Sequence, residues 1–160
     1  MKIKKLENAC LIELENSTKI YLDPQRVVEG SVNIVTEPAQ NVHHDTNFNL
    51  PGEYELKGIS IYGYSGKTYS FVISNDINIL YTQGDLPEKM AQKIQEQFGA
   101  IDVIIMKNSK DLSDLKNRFK TKVFVTLDKA VQVAGCEIQK GKEISLKKNK
   151  LEPICHFLQG

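Results

Sequence analysis

Short apolar stretches divided by polar turns mark the first third of the chain. Lys2 to Leu6, Ala9 to Glu13, Lys19 to Leu22 and Val32 to Thr36 alternate or run apolar over four to five residues, which predicts four strands, with Asn16-Ser17 as a hairpin turn. After an irregular segment from Glu37 to Pro51, the alternation from Gly52 to Tyr62 predicts a hairpin. Tyr69 to Ser74 and Ile77 to Tyr81 predict two more strands joined at Asn75-Asp76. Pro87 then opens a helix in which Met90, Ile94 and Phe98 recur at i, i+4, i+8, with Gly99 just past its end. Ile101 to Met106 reads as a buried strand, Asp111 to Phe119 as a short helix and Val123 to Thr126 as another buried strand. Beyond Lys129 the pattern weakens to a small hairpin around Gly141 and a terminal strand or tail. Strands first, then helix and buried strand in alternation, predict a mixed α/β domain with helix-covered sheets.

Composition changes this picture little. At 160 residues, 41% hydrophobic and 26% charged, the chain suits one globular domain spanning 1–160, and no apolar run is long enough to cross a bilayer. Cys10, Cys136 and Cys155 are odd in number, widely spaced and without a C-x-x-C pair. They read as buried small hydrophobes in a reducing, cytoplasmic setting. Charge is uneven: residues 107–150 hold 12 Lys/Arg against 5 Asp/Glu. A basic region of this kind could meet an acidic partner or nucleic acid, but its two aromatic residues, Phe119 and Phe124, belong to the predicted helix and buried strand rather than to a base-stacking surface among the lysines.

Several segments taken together resemble a known family. The opening Met1-Lys-Ile-Lys-Lys-Leu-Glu-Asn-Ala-Cys, the strand ending Asp23-Pro24, the stretch Pro51-Gly-Glu-Tyr-Glu-Leu-Lys-Gly58, the turn Gly84-Asp85 and the strand Ile101-Asp-Val-Ile-Ile-Met are similar to the metallo-β-lactamase superfamily. The likeness is strongest to its small bacterial ascorbate-phosphate lactonase-like branch. The resemblance covers most of residues 1–128, and Pro-Gly-Glu-Tyr-Glu is its most specific part. It implies an αββα sandwich, reduced in size. It also implies zinc chemistry, in which imidazoles and carboxylates hold a metal that lowers the pKa of bound water.

The ligands that the family supplies from a His-x-His-x-Asp-His motif are replaced. Glu37, Ala39, Asn41 and Val42 stand at those positions, the early Gly-His turn reads Glu7-Asn8, and the loop bearing another His is shortened to Gly63-Tyr-Ser-Gly-Lys67. The bridging Asp is kept as Asp85, and the final His aligns with Asp128. Each missing ligand removes a large part of the roughly 10–16 kcal/mol that a zinc site supplies. The resemblance therefore implies a non-catalytic relative without a cofactor, with a binding or structural role toward a protein partner or a second copy. The alternative is a hydrolase with a reassigned oxygen site, Glu37, Asp85 and Asp128, holding Mg²⁺ or Mn²⁺. A nucleic-acid binder acting through 107–150 is a third reading.

Other motifs carry less. His43-His44-Asp45 lies in the lead-in to Pro51 rather than in the ligand motif, and adjacent side chains in an extended chain point apart. Cys155-His156 meets the same objection. Gly66-Lys67-Thr68 resembles the tail of a phosphate loop, but Ile61 stands where the first glycine is required and a strand pattern follows, so a hairpin turn is expected. Neither a Gly-x-Ser-x-Gly elbow nor a dinucleotide fingerprint is present.

Overall fold

The pairing of the first three strands places Ile3, Ile12 and Ile20 side by side on one face, each fully buried. The elements, in chain order, are β1 (Lys2–Lys5), β2 (Cys10–Glu13), β3 (Lys19–Leu22), β4 (Val32–Ile34), β5 (Asn47–Phe48), β6 (Gly52–Leu56), β7 (Ile59–Tyr64), β8 (Ser70–Ser74), β9 (Asn78–Thr82), α1 (Glu88–Phe98), β10 (Val103–Met106), α2 (Leu112–Phe119), β11 (Val123–Thr126), β12 (Glu137–Gly141), β13 (Glu143–Ser145) and β14 (Ile154–Leu158). The computed structural model describes every residue except 8, 38–46, 49, 108–111 and 160, and at 47 the backbone alone.

The strands form two sheets, ordered β13-β1-β2-β3-β4-β5 and β12-β14-β11-β10-β9-β8-β7-β6. In the first, Ile144, Ile3, Ile12, Ile20 and Val32 line up across five strands. In the second, Ile61, Ile73, Ile79, Val103, Val123 and Ile154 do the same across six. These two aliphatic rows belong to one core between the sheets. Because side chains alternate, the other face of the second sheet presents Val72, Leu80, Ile104, Phe124 and Cys155. That face forms a second core with Met90, Ala91 and Ile94 of α1 and Leu112, Leu115 and Phe119 of α2. Strands β9, β10, β11 and β14 are parallel neighbours, so their carboxyl ends gather at one edge of the sandwich.

The helix signals act as the spacing predicts. Pro87 precedes the first turn of α1, and Gly99, at φ 71°, closes it with its N–H on the Gln95 carbonyl at 2.8 Å. Phe98 meets Tyr62 edge-on, ring centroids 4.9 Å apart. Among the described residues both α-helices cover the second sheet. The first sheet's outer face instead carries Lys2, Lys4, Glu13, Lys19 and Tyr21, with Lys4 and Glu13 paired at 3.3 Å, a polar surface that needs no helix over it. No described helix is long and apolar enough to span a membrane.

One expectation fails. The strands around Gly141 are not a hairpin: β12 runs parallel to β14 at the edge of the second sheet, whereas β13 crosses to the first sheet and pairs antiparallel with β1. The reason lies in β13 and its continuation, where Ile144 and Leu146 are buried between the sheets while β12 is exposed at most of its positions.

Gly63, in β7, has no space for a side chain: a Cβ there would lie 2.8 Å from the Leu50 carbonyl oxygen and 2.9 Å from the Phe71 ring. Gly63→Ala is expected to lower stability by about 1–3 kcal/mol through overpacking, measured by urea unfolding.

His156 supplies a pH-dependent term. It is 4% exposed, it packs where β14 passes Gly141, and neither ring nitrogen has a hydrogen-bond partner. Burial lowers its pKa below the ordinary 6.5. The unfolded chain therefore takes up a proton that the folded state resists. The associated stability is complete above pH 6.5 and is lost as pH falls below it. Urea midpoints measured near pH 7.5 and pH 5.5 are expected to drop toward acid, by less in His156→Leu than in the parent.

Candidate functional site

The site grows out of the carboxyl ends of the parallel strands. β3 ends at Leu22, and the next residue, Asp23, sits in the left-handed region at φ 49°, a conformation that aspartate tolerates better than most side chains. The turn aims its carboxylate back at the sandwich. Oδ1 accepts the Thr36 N–H at 2.8 Å; Oδ2 accepts the Thr36 hydroxyl at 2.7 Å and the Tyr81 hydroxyl at 2.6 Å. The Lys107 ammonium, one residue past β10, stands 3.8 Å from Oδ2. Gln83, just beyond β9, donates from Nε2 to the Thr36 hydroxyl at 2.7 Å, which ties the loops after β4 and β9 together. The Asp23 side chain is 12% exposed, and both of its oxygens are engaged by groups of the protein itself.

A cavity of about 220 Å³ opens over this network. Lys5 at the end of β1, Glu7 from the β1–β2 turn, Cys10, Tyr81, Lys107 and Asp128 line it around Asp23. Lys5 donates to the Leu127 carbonyl at 2.6 Å and so closes the β1–β2 turn against the end of β11. Tyr81 is held protonated well above its usual range, first by burial and then by Asp23 beside it, so it remains the donor. Burial pushes the Cys10 thiol up to about 12, with Lys5 pulling weakly the other way; this sulfur is not a thiolate at neutral pH. A larger cleft, about 300 Å³, lies at the other end of the sandwich, where Leu14 and Leu146 face Ile73, Ile77 and Ile79. It has an aliphatic floor and no part in the Asp23 network.

Of the residues singled out from the sequence, Asp128 lines the Asp23 cavity at an exposed position. Glu37 and Asp85 are exposed on the loops that Thr36 and Gln83 join, and neither lines the cavity. Among the described residues, no three His, Cys, Asp or Glu side chains are gathered to hold one ion. Ala39, Asn41, Val42 and His43-His44-Asp45 lie outside the described residues. Gly66-Lys67-Thr68 falls in the β7–β8 connection, as expected for a turn, because Tyr64 pairs with Ser70 across it.

Sequence reasoning missed Tyr81, Thr36, Gln83, Lys5 and Lys107. A usable signal existed for Lys107: it is the first charged residue after a buried parallel strand, where clefts of α/β sheets collect their functional groups. Tyr81 and Thr36 read only as strand residues.

Among the described residues that line the cavity, the donors do not suit zinc: both Asp23 oxygens are engaged, the Cys10 thiol is protonated, and two ammonium groups, Lys5 and Lys107, share the space with the carboxylates. A divalent cation would meet those charges directly.

No family model and no curated protein sequence matches the chain. Solved structures do. One is a metallo-β-lactamase-superfamily protein from Thermotoga maritima for which zinc-dependent hydrolysis has been suggested, at TM-score 0.70 and 19% identity, covering 99% of this chain and 100% of that one. Another is a variant of the CmlA β-hydroxylase, at TM-score 0.57 and 7% identity, covering 78% of this chain and 45% of that one. Two packed sheets with helices over the second, superposing on a superfamily protein along the whole chain, give this protein the metallo-β-lactamase-like fold.

Proposed function

We propose that this chain is a non-catalytic, cytoplasmic relative of the zinc hydrolases that share its fold, with a binding or structural role toward a protein partner or a second copy of itself. The observation that carries this reading is the Lys107 ammonium over Asp23, with Tyr81 and Thr36 completing the carboxylate's hydrogen bonds. A lysine supplies within the fold the positive charge that a metal would otherwise bring, and it removes the attraction for one. Leu50, just before β6, and Ile138, within β12, are 53% and 40% exposed at the two outer edges of the second sheet, where a partner would bury them. The nucleic-acid reading is weaker, because Lys107, Lys116 and Arg118 of the basic region are held by Asp23, the Ala134 carbonyl and Glu88.

Phosphodiester, lactone and thioester substrates are the test, each with and without Zn²⁺, Mg²⁺ or Mn²⁺, alongside light scattering for self-association. No turnover above buffer is expected with any ion, and Lys107→Ala is expected to leave that unchanged. Metal-dependent turnover abolished by Asp85→Ala or Asp128→Ala would overturn the proposal in favour of the carboxylate-metal hydrolase.

A further inference from the structure

Two thiols that are 19 positions apart in sequence meet in the fold. β12 and β14 run parallel with Ile138 opposite Cys155, which brings Cys136, just before β12, onto the same face of the sheet, and both cysteines belong to the core under the helices. The two thiols lie near enough to influence one another electrostatically, and the Val133 backbone lies beside the Cys155 sulfur. The segment that delivers Cys136 is shaped for this approach. Gly135 turns at φ 81° with the Lys116 ammonium against it, Lys116 donates to the Ala134 carbonyl at 2.5 Å, and the Cys136 N–H bonds the Val133 carbonyl at 3.0 Å. The pair thus has two neighbouring sulfurs on one face of adjacent strands, with the Val133 backbone and the Lys116 cation near them. The third cysteine, Cys10, belongs to the separate core between the sheets.

We infer that Cys136 and Cys155 are an oxidisable dithiol that a hydroperoxide converts to an intramolecular disulfide. Cys136, 8% exposed against 2% for Cys155, is the sulfur that a small oxidant reaches first. Its sulfur attacks one peroxide oxygen, the O–O bond breaks, and the departing hydroxide takes the thiol proton to leave as water, giving a sulfenic acid. The Cys155 sulfur then attacks the Cys136 sulfur, forming the S–S bond; the S–OH bond breaks and the hydroxyl leaves as a second water with the Cys155 proton. Two electrons pass from the thiols to the peroxide, and the atoms balance as two thiols plus hydrogen peroxide giving one disulfide and two waters. Burial, opposed by the Val133 backbone and the Lys116 cation, holds Cys155 at about 11, which slows the reaction and leaves the reduced pair stable in air. The closed disulfide would fasten the 131–136 segment and β12 to β14 and thereby stiffen one edge of the second sheet.

The experiment treats the full chain with hydrogen peroxide, alkylates free thiols, and reads intact mass and cross-linked peptides. The expected product is lighter by two hydrogens, keeps Cys10 alkylated, maps to a Cys136–Cys155 peptide, reverts with dithiothreitol and melts higher than the reduced form. Cys10→Ser should behave identically. Cys155→Ser should stop at a Cys136 sulfenic acid that dimedone captures, with circular dichroism confirming that the variant is folded. A disulfide involving Cys10, oxygen added to one cysteine without a cross-link in the parent chain, or three alkylated thiols after peroxide treatment of the folded protein would overturn the inference.

Discussion

Asp23→Ala is expected to lower the unfolding free energy by about 3–5 kcal/mol, the largest effect of any polar substitution in the chain. The carboxylate accepts three hydrogen bonds, from the Thr36 N–H, the Thr36 hydroxyl and the Tyr81 hydroxyl, and it partners Lys107. Truncation leaves a 0% exposed tyrosine with its hydroxyl unpaired, a buried threonine whose N–H and hydroxyl proton have lost their acceptor, and an ammonium facing an empty space. It also puts alanine at φ 49°, which aspartate accepts more readily. Asp23→Asn separates these causes. It keeps the turn and one acceptor oxygen but loses the charge and presents an NH₂ to groups that are themselves donors, so about half the loss is expected. Urea unfolding of the parent and both variants checks the ordering. An Asp23→Ala variant within about 1 kcal/mol of the parent would show that the network adds little to the fold.

Phe124→Ala is expected to cost a comparable amount, about 3–5 kcal/mol, for a different reason. Phe124 is fully buried on β11, opposite Ile104 on one side and Cys155 on the other, in the core that joins the second sheet to α1 and α2. Its loss leaves a cavity bounded by several elements at once, and strands hydrogen-bonded on both sides cannot move inward to fill it. Phe124→Leu, which keeps most of the volume, should recover well over half of the loss. In a domain of this length the alanine variant should melt roughly 6–20 °C lower, read by circular dichroism.

These two residues also mark what local sequence could and could not reveal. Phe124 sits in an unbroken apolar run, and such runs, like the alternation in β1 to β3, state their own burial; most of the strands and both helices were legible for that reason. The exception, β12 and β13, shows the limit. Lys140-Gly141-Lys142 between short polar strands has the local look of a hairpin. The partners that decide the matter, β14 and β1, lie far along the chain, and Ile144 and Leu146 answer to a core the local pattern does not display.

The site was legible in part for the same physical reason. Asp23 stood out within its Asp-Pro strand end, but nothing nearby said that its hydrogen bonds would be taken by Tyr81, 58 positions away, or its charge met by Lys107. The Cys136–Cys155 pair was hidden in the same way: wide spacing suggested three separate buried thiols, and the parallel pairing of β12 with β14 brings two of them together.

Lys107, Tyr81 and Thr36 answer the Asp23 carboxylate from within the protein, and the proposed non-catalytic reading rests on this. Its most direct test is the metal content of the protein, purified without chelators from cells grown with added zinc and read by inductively coupled plasma mass spectrometry. Zinc, manganese and magnesium are each expected far below one equivalent per chain, and the same for Asp85→Ala. Stoichiometric zinc in the parent, lost in Asp23→Ala or Asp128→Ala, would contradict that reading.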